Sequence, residues 1–342
     1  MYWYTSTNQR GSSLRIWKSL VGQWFLVALA IVVLVGTVAS PQLSFLADQS
    51  WLRESVVFFV MALMALPVPL AWVRRALRQP WPAILASLIN MGLFPLVALA
   101  FAMLMTPYVG GGLIVAATIP CTLASAAVWT NKAGGDDTVA VLVTLITNLA
   151  CVVVTPLWLV LLLGKRVQLD LGDLIQGLLV VVLLPMTLAQ IARLKQSVAQ
   201  WATKNKQSIA LICQFGILTM VLLGSIQMGQ RIRFSSDAHA LTIQQVIEVT
   251  VLASLLHLLV LGIGWWLAAQ TRIARPQKIA VAIGGSQKTL MVGLKLAIDC
   301  GVSILPMVVY HISQLVLDTI LADRWRAHGQ TLDKQSEPSR TP

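Results

Sequence analysis

Apolar runs broken by short polar punctuation make up nearly the whole chain. Runs long enough to cross a bilayer as helices, about 17–25 residues each, fall near 20–39, 55–73, 82–105, 111–131, 138–163, 173–192, 208–229, 243–269, 279–298 and 302–322. They predict an all-α polytopic membrane protein with ten transmembrane helices. A cytoplasmic segment over 1–18 precedes the membrane domain over 19–327, and a polar, disordered cytoplasmic tail over 328–342 follows it. The run from Leu20 to Val38 is longer than a secretory leader's apolar core, so the first helix is expected to stay uncleaved. The fourth and ninth runs differ from the others in carrying polar residues inside.

Composition agrees with lipid as the main solvent. Hydrophobic residues make up 57%, charged residues 11%, and the mean hydropathy is +0.78. Soluble domains carry roughly a quarter charged residues, so these charges could not cover a soluble surface of this size. Four cysteines, Cys121, Cys151, Cys213 and Cys300, lie in or beside apolar runs without metal-ligand spacing and read as small core residues.

Net charge is +12, yet no basic stripe interleaves with aromatics, which argues against nucleic acid and for lipid headgroups on one membrane face. With a cytoplasmic N-terminus and ten spans, 18 of the 25 Lys and Arg residues fall inside and 5 outside. The remaining two, Lys288 and Lys295, lie in the ninth span. That bias is the positive-inside pattern, and one span more or fewer would scramble it. Both termini are therefore expected in the cytoplasm, and the location is the cell (inner) membrane. The sequence sets no oligomeric state.

Spans one to five and six to ten share their spacing, giving repeats of about 19–164 and 172–323. Five spans per half makes the second half enter from the opposite side, an inverted-topology repeat. Such folds hold their solute near the midplane, where broken helices of the two halves meet.

Three stretches carry candidate chemistry. In the fourth span Pro120 removes a backbone donor, with Thr122, Ser125 and Thr130 close by. These side chains either form a small polar cup or bond back to a kinked helix. In the fifth span Thr144, Thr147 and Asn148 share one face at i, i+3, i+4, for solute or for helix–helix bonding. In the ninth, Gly284-Gly285 precedes Ser286, Gln287, Lys288 and Thr289. Ten residues from Lys278 at 1.5 Å each put Lys288 roughly 15 Å deep, near the midplane. A charge there costs at least about 2.5–3.5 kcal/mol, so it needs a polar cavity or a partner, unless the segment is a cytoplasmic loop. Lys295, two turns further, is expected to snorkel. His257 reads as a hydrogen-bonded bundle residue and Glu248 as interfacial.

At the two broken spans the sequence resembles the bile acid:sodium symporter family, in the branch containing solute carrier family 10 member 7 and its bacterial relatives. The marks are Pro120 to Asp137 with Ala133-Gly134-Gly135, then Thr155-Pro156-Leu157, then Gly285-Ser286-Gln287-Lys288-Thr289. In span count the likeness covers nearly the whole chain; at residue level it is confined to those segments. It implies a panel bundle and a core bundle, with two unwound helices crossing in the core. In sodium-coupled relatives the fourth helix carries Pro-Gly-Gly and, after two residues, Ser-Asn. Their ninth carries Glu four residues before Gln-Asn. Pro120, Ser125 and Gln287 match. Cys121-Thr122 replaces Gly-Gly, Ala126 replaces Asn, Ile283 stands where the Glu belongs and Lys288 replaces the last Asn.

These departures remove sodium's strongest oxygen ligand and put an ammonium in its neighbourhood. The expectation is a secondary transporter of a small organic solute, with an anion among the candidates, bound by Thr122, Ser125, Thr130, Thr144, Asn148, Ser286, Gln287, Lys288 and Thr289. No cofactor or metal site is expected; sodium or a proton is the candidate coupling ion, without two-sodium symport. The alternatives are an intramembrane enzyme on a lipid-linked substrate and a non-transporting membrane regulator. Against the enzyme, the chain has no HExxH, GxSxG or Walker loop. Single cysteines placed at Arg75, Lys204 and Arg275 should react with impermeant reagent only from the cytoplasmic side of sealed cells. External labelling at 75 or 204 would refute the ten-span arrangement.

Overall fold

A bilayer offers no water to backbone amides, so each apolar run must close its own hydrogen bonds as a helix. The computed structural model describes residues 24–69, 78, 80–123, 125–164, 169–234 and 243–336. The segment 1–18, Arg74, Arg75 and residues 337–342 lie outside these. Among the described residues there are helices and no strands.

The helices are α1 Trp24–Val38, α2 Ser40–Ala47, α3 Ser50–Ala65, α4 Trp81–Ala102, α5 Pro107–Thr118, α6 Ser125–Lys132 and α7 Asp137–Leu163. They continue as α8 Leu171–Ala192, α9 Gln196–Lys204, α10 Lys206–Phe234, α11 Ile243–Ala269, α12 Arg275–Ser286, α13 Leu290–Asp299 and α14 Leu305–Ser336. Six of the described helices, α4, α7, α8, α10, α11 and α14, are long and apolar enough to cross a membrane. The count is up to seven if α1 and α2, bent by 101° at their junction, form one span. The fourth and ninth apolar runs are each two short helices, α5 with α6 and α12 with α13. The last helix continues to Ser336, past the expected end of order near Ala327. No proline interrupts it before Pro338.

Helices α1, α2 and α3 pack on α10, and α3 also packs on α8. Small residues let them approach closely: a Cβ on Gly36 would stand 2.7 Å from that of Ser225. The second neighbourhood joins α4, α5, α7, α11, α12 and α14 around the two broken runs.

Helix α4 contains the local feature that shapes the site. Its middle turn, Ile89–Leu93, is a π-turn in which the Phe94 amide reaches back to the Ile89 carbonyl. The next residue is Pro95, which has no N–H. The carbonyls of Asn90 and Met91 are therefore left without helical donors. Met91 O accepts from Trp158 Nε1 of α7 at 2.7 Å; the Asn90 carbonyl faces the broken runs.

Glycines mark where backbone meets backbone. A Cβ on Gly112 in α5 would collide with the Ser303 carbonyl ahead of α14, whereas one on Gly262 in α11 meets nothing within 4 Å. Gly112→Ala should lower stability by about 1–3 kcal/mol through overpacking. Gly262→Ala should be neutral or stabilising by about 0.5–1 kcal/mol. Thermal unfolding of the detergent-purified variants checks the contrast.

Candidate functional site

The site is where the two broken runs pass each other. After Thr118 the chain is extended, and Pro120 prevents the helix from resuming at once. Its carbonyls then need partners from elsewhere. Thr155 Oγ1 donates to Thr118 O at 2.7 Å, Lys288 Nζ to Ile119 O at 2.9 Å and the Thr289 amide to Pro120 O at 3.0 Å. Asn148 Nδ2 donates to Cys121 O at 3.1 Å and Thr144 Oγ1 to Thr122 O at 3.0 Å. The Cys121 amide donates to Thr147 Oγ1 at 3.1 Å. The polar face of α7 thus replaces the helical partners that α5 loses.

The second break, Gln287–Thr289, is held in the same way. Asn90 Nδ2 lies 3.1, 3.3 and 2.9 Å from the carbonyls of Gly284, Gly285 and Gln287. Tyr310 donates to Ser286 O at 2.7 Å. Gln314 grips Lys288 twice, accepting from its amide at 2.9 Å and donating to its carbonyl at 3.0 Å. A backbone bond from Thr289 to Pro120 also ties the breaks together.

Lys288 is fully buried. Its ammonium donates to Asn90 O at 2.6 Å, Asn90 Oδ1 at 3.1 Å and Ile119 O at 2.9 Å, and lies 4.5 Å from the centre of the Phe94 ring. Three oxygens and an aromatic face form a cation site occupied by the protein's own cation. Ile119 O belongs to the carbonyl end of α5, the negative end of that helix. Residues 286–289 are all buried, so this segment is not an exposed loop.

Gln287 and Lys288 are neighbours in extended backbone, so their side chains leave on opposite sides. Gln287 Oε1 accepts from Ser125 Oγ at 3.0 Å, and Ser125 also meets Thr122 Oγ1 at 3.2 Å. Gln287 Nε2 donates to Asp318 Oδ2 at 2.5 Å. Residues 162 positions apart are thus in direct contact.

Of the candidates read from the sequence, Thr122, Ser125, Thr144, Thr147, Asn148, Ser286, Gln287, Lys288 and the Thr289 backbone meet at the crossing. Ser286 Oγ bonds back within α12, to Ala282 O and Ile283 O. Thr130 stands apart: it is buried against Gly135 and its hydroxyl has no hydrogen-bond partner among the described residues. Lys295 lies away from the crossing. It pairs with Asp299 at 2.5 Å and lines a cavity of about 230 Å³ with Asp170 and Asp173. Asn90, Phe94, Tyr310, Gln314 and Asp318 escaped the sequence reading. Asp318 carried the one available signal, a carboxylate inside the last apolar run.

Residues 23–327 match the profile of the SBF-like CPA transporter family. The chain belongs to the SBF-like CPA transporter family. Its relatives include the Putative symporter YfeH of Escherichia coli (strain K12), 23% identical over 72% of this chain and 76% of that one. The Probable sodium/metabolite cotransporter BASS4, chloroplastic, of Oryza sativa subsp. indica is 27% identical over 85% of this chain and 72% of its own. The Uncharacterized sodium-dependent transporter YocS of Bacillus subtilis (strain 168) is 24% identical over 81% and 84%. The expected membership of a bile acid:sodium symporter-type family is therefore borne out. The family is one of transporters, which sets the enzyme reading aside, and the chain is a multi-pass membrane protein.

Lys288→Met would leave Asn90 O, Asn90 Oδ1 and Ile119 O buried without their donor. Each such orphan costs about 1–3 kcal/mol, so the loss should be several kcal/mol. Asn90→Ala should cost a comparable amount, and the double variant clearly less than the two together. Unfolding of the three purified variants measures this coupling, and additive losses would show that the two side chains do not act together.

Proposed function

We propose that this chain is a secondary transporter of a small organic, anionic solute, bound beside the crossing of the two broken runs. On this reading the protein has ten spans in two inverted five-helix repeats, with both termini in the cytoplasm of a cell whose inner membrane holds it. The neighbourhood of α1, α2, α3, α8 and α10 is the panel, and that of α4–α7 and α11–α14 is the core. Rocking of one against the other exposes the crossing to each side in turn.

One observation carries the proposal: a lysine ammonium, fully buried, coordinated by three oxygens where two unwound segments touch. A carbonyl cage filled by a covalently attached cation needs no sodium ion to hold it together. A second cation about 4 Å from that ammonium would be repelled even at intermediate dielectric. Ser125, Thr122 and Gln287 offer hydroxyl and amide groups on the side of the strand away from Lys288, suited to a carboxylate or similar oxyanion.

One observation favours sodium instead. Asn148 Oδ1 is buried with no hydrogen-bond partner among the described residues, beside Thr144 and Thr147. Those oxygens would be the starting point of a sodium site, and BASS4 and YocS carry sodium in their names.

Small organic anions that raise the protein's melting temperature identify candidate solutes. Uptake of such a solute into proteoliposomes should persist when sodium is replaced by choline. Steep, cooperative dependence on sodium would overturn the sodium-free reading and point to Asn148.

A further inference from the structure

A chain of buried titratable groups runs from α11 through α14 to the second break. Asp318 is 1% exposed and His257 fully buried. His257 Nε2 stands 2.8 Å from Asp318 Oδ1, and its Nδ1 3.0 Å from the Tyr310 hydroxyl. That hydroxyl donates to Ser286 O at 2.7 Å, and Asp318 Oδ2 accepts from Gln287. Both ends of the chain therefore rest on adjacent residues of the break.

Counting hydrogens shows what this arrangement holds. A tyrosine hydroxyl has one hydrogen, and here it is given to Ser286. His257 Nδ1 must then be the donor toward Tyr310. The contact between His257 Nε2 and Asp318 needs a hydrogen of its own. Three contacts require three hydrogens, while a neutral tyrosine, a neutral imidazole and an ionised carboxylate supply two. The third is an additional proton, shared between Asp318 and His257, which leaves the buried pair with no net charge. Without it the pair carries one buried negative charge, which is costly in a dry interior. The two hydrogens left cannot fill all three contacts: His257 gives its own to Asp318, and its bare Nδ1 then competes with Ser286 O for the Tyr310 hydroxyl. Losing the proton thus weakens the hold on the carbonyl next to Gln287 and loosens the break.

We propose that Asp318 and His257 form the proton-carrying site of this protein and that Tyr310 transmits its state to the crossing. The proton comes from water on one face and returns to water on the other, with no bond made or broken except those to hydrogen. As a coupling site this rests on the transporter reading above; as a proton-gated break it stands alone. The other titratable or charged groups around it are Lys288 in the same break, Cys121 in the facing one, and His311 on α14. Lys132 of α6 is paired with Asp323 at 2.8 Å, and Arg275 of α12 donates to Trp325 O at 2.7 Å. Glu248 on α11 lies nine residues from His257, about 14 Å along the helix axis. Tyr108 on α5 and Lys295 and Asp299 on α13 lie toward the same end.

Hydrogen exchange at the break tests the idea, with the proton itself as the probe. The Lys288 and Thr289 amides, bonded to Gln314 and Pro120, are followed in the full chain in lipid nanodiscs at a series of pH values. The closed break binds one proton more than the open one, so protection is complete on the acid side and is lost as pH rises. After correction for intrinsic exchange rates, protection should fall about tenfold per pH unit across that window, as one linked proton requires. Asp318→Asn and His257→Gln should each flatten this slope, and Tyr310→Phe should give low protection at every pH. A slope unchanged in both Asp318→Asn and His257→Gln overturns the proposal. If the slope and its loss in the variants are seen but the wild-type chain moves no solute in any ion gradient, the proton-gated break stands and the transport reading falls.

Discussion

A peptide group inside a lipid bilayer must find a partner from the protein, and at the crossing ordinary helix geometry does not supply one. Two runs stop being helical where water is absent, leaving a row of bare carbonyls and amides. Carbonyl by carbonyl from Thr118 to Thr122, and from Gly284 to Lys288, a donor from a neighbouring helix takes the place of the missing turn. Those donors fix the packing of α4, α7 and α14 against the breaks. The Lys288 ammonium is the strongest of them, because it is charged and joins three elements at once.

The same side chains are suited to recognition. Hydroxyl and amide groups on one side of the extended strand face Ser125, while the ammonium on the other side holds α4 and α5. Period-two alternation in a three-residue stretch therefore separates the Gln287 amide, which meets Ser125, from the Lys288 clamp. The Phe94 ring lies against both the Lys288 ammonium and the Tyr310 ring, whose centroid is 5.7 Å away. It packs between the clamp and the His257–Asp318 pair.

Much of this was legible in the sequence. Long apolar runs mark α4, α7, α8, α10, α11 and α14 because lipid imposes both length and composition. Pro120 and Gly284-Gly285 announce the breaks, since neither favours helix. A lysine deep within a long apolar run signals a buried partner. The identity of that partner was not legible. Asn90 lies in an ordinary-looking apolar run, and its carbonyl is free only because a π-turn and Pro95 coincide, a register that hydropathy does not encode. In sequence, a single acid such as Asp318 near the end of a run also fits an interfacial position. Only the fold, which places it against His257 and Gln287, shows otherwise. Thr130 shows the converse: near Pro120 in sequence, it lies five residues beyond Ser125 on α6, on another face of that helix and against Gly135.

The distance along the chain between Asn90 and Lys288 bears on how the protein is made. Helix α4 leaves the ribosome almost two hundred residues before the ammonium that completes it, and α5 follows with its own carbonyl end bare. Neither can settle as it stands in the finished protein until α12 and α13 have been inserted. The first half must therefore wait in the membrane with its polar groups served by water, lipid headgroups or the translocation machinery. A nascent chain arrested after α11 would hold all the apolar spans of that half and still lack the cation that closes it, so quality control has a specific immature state to recognise.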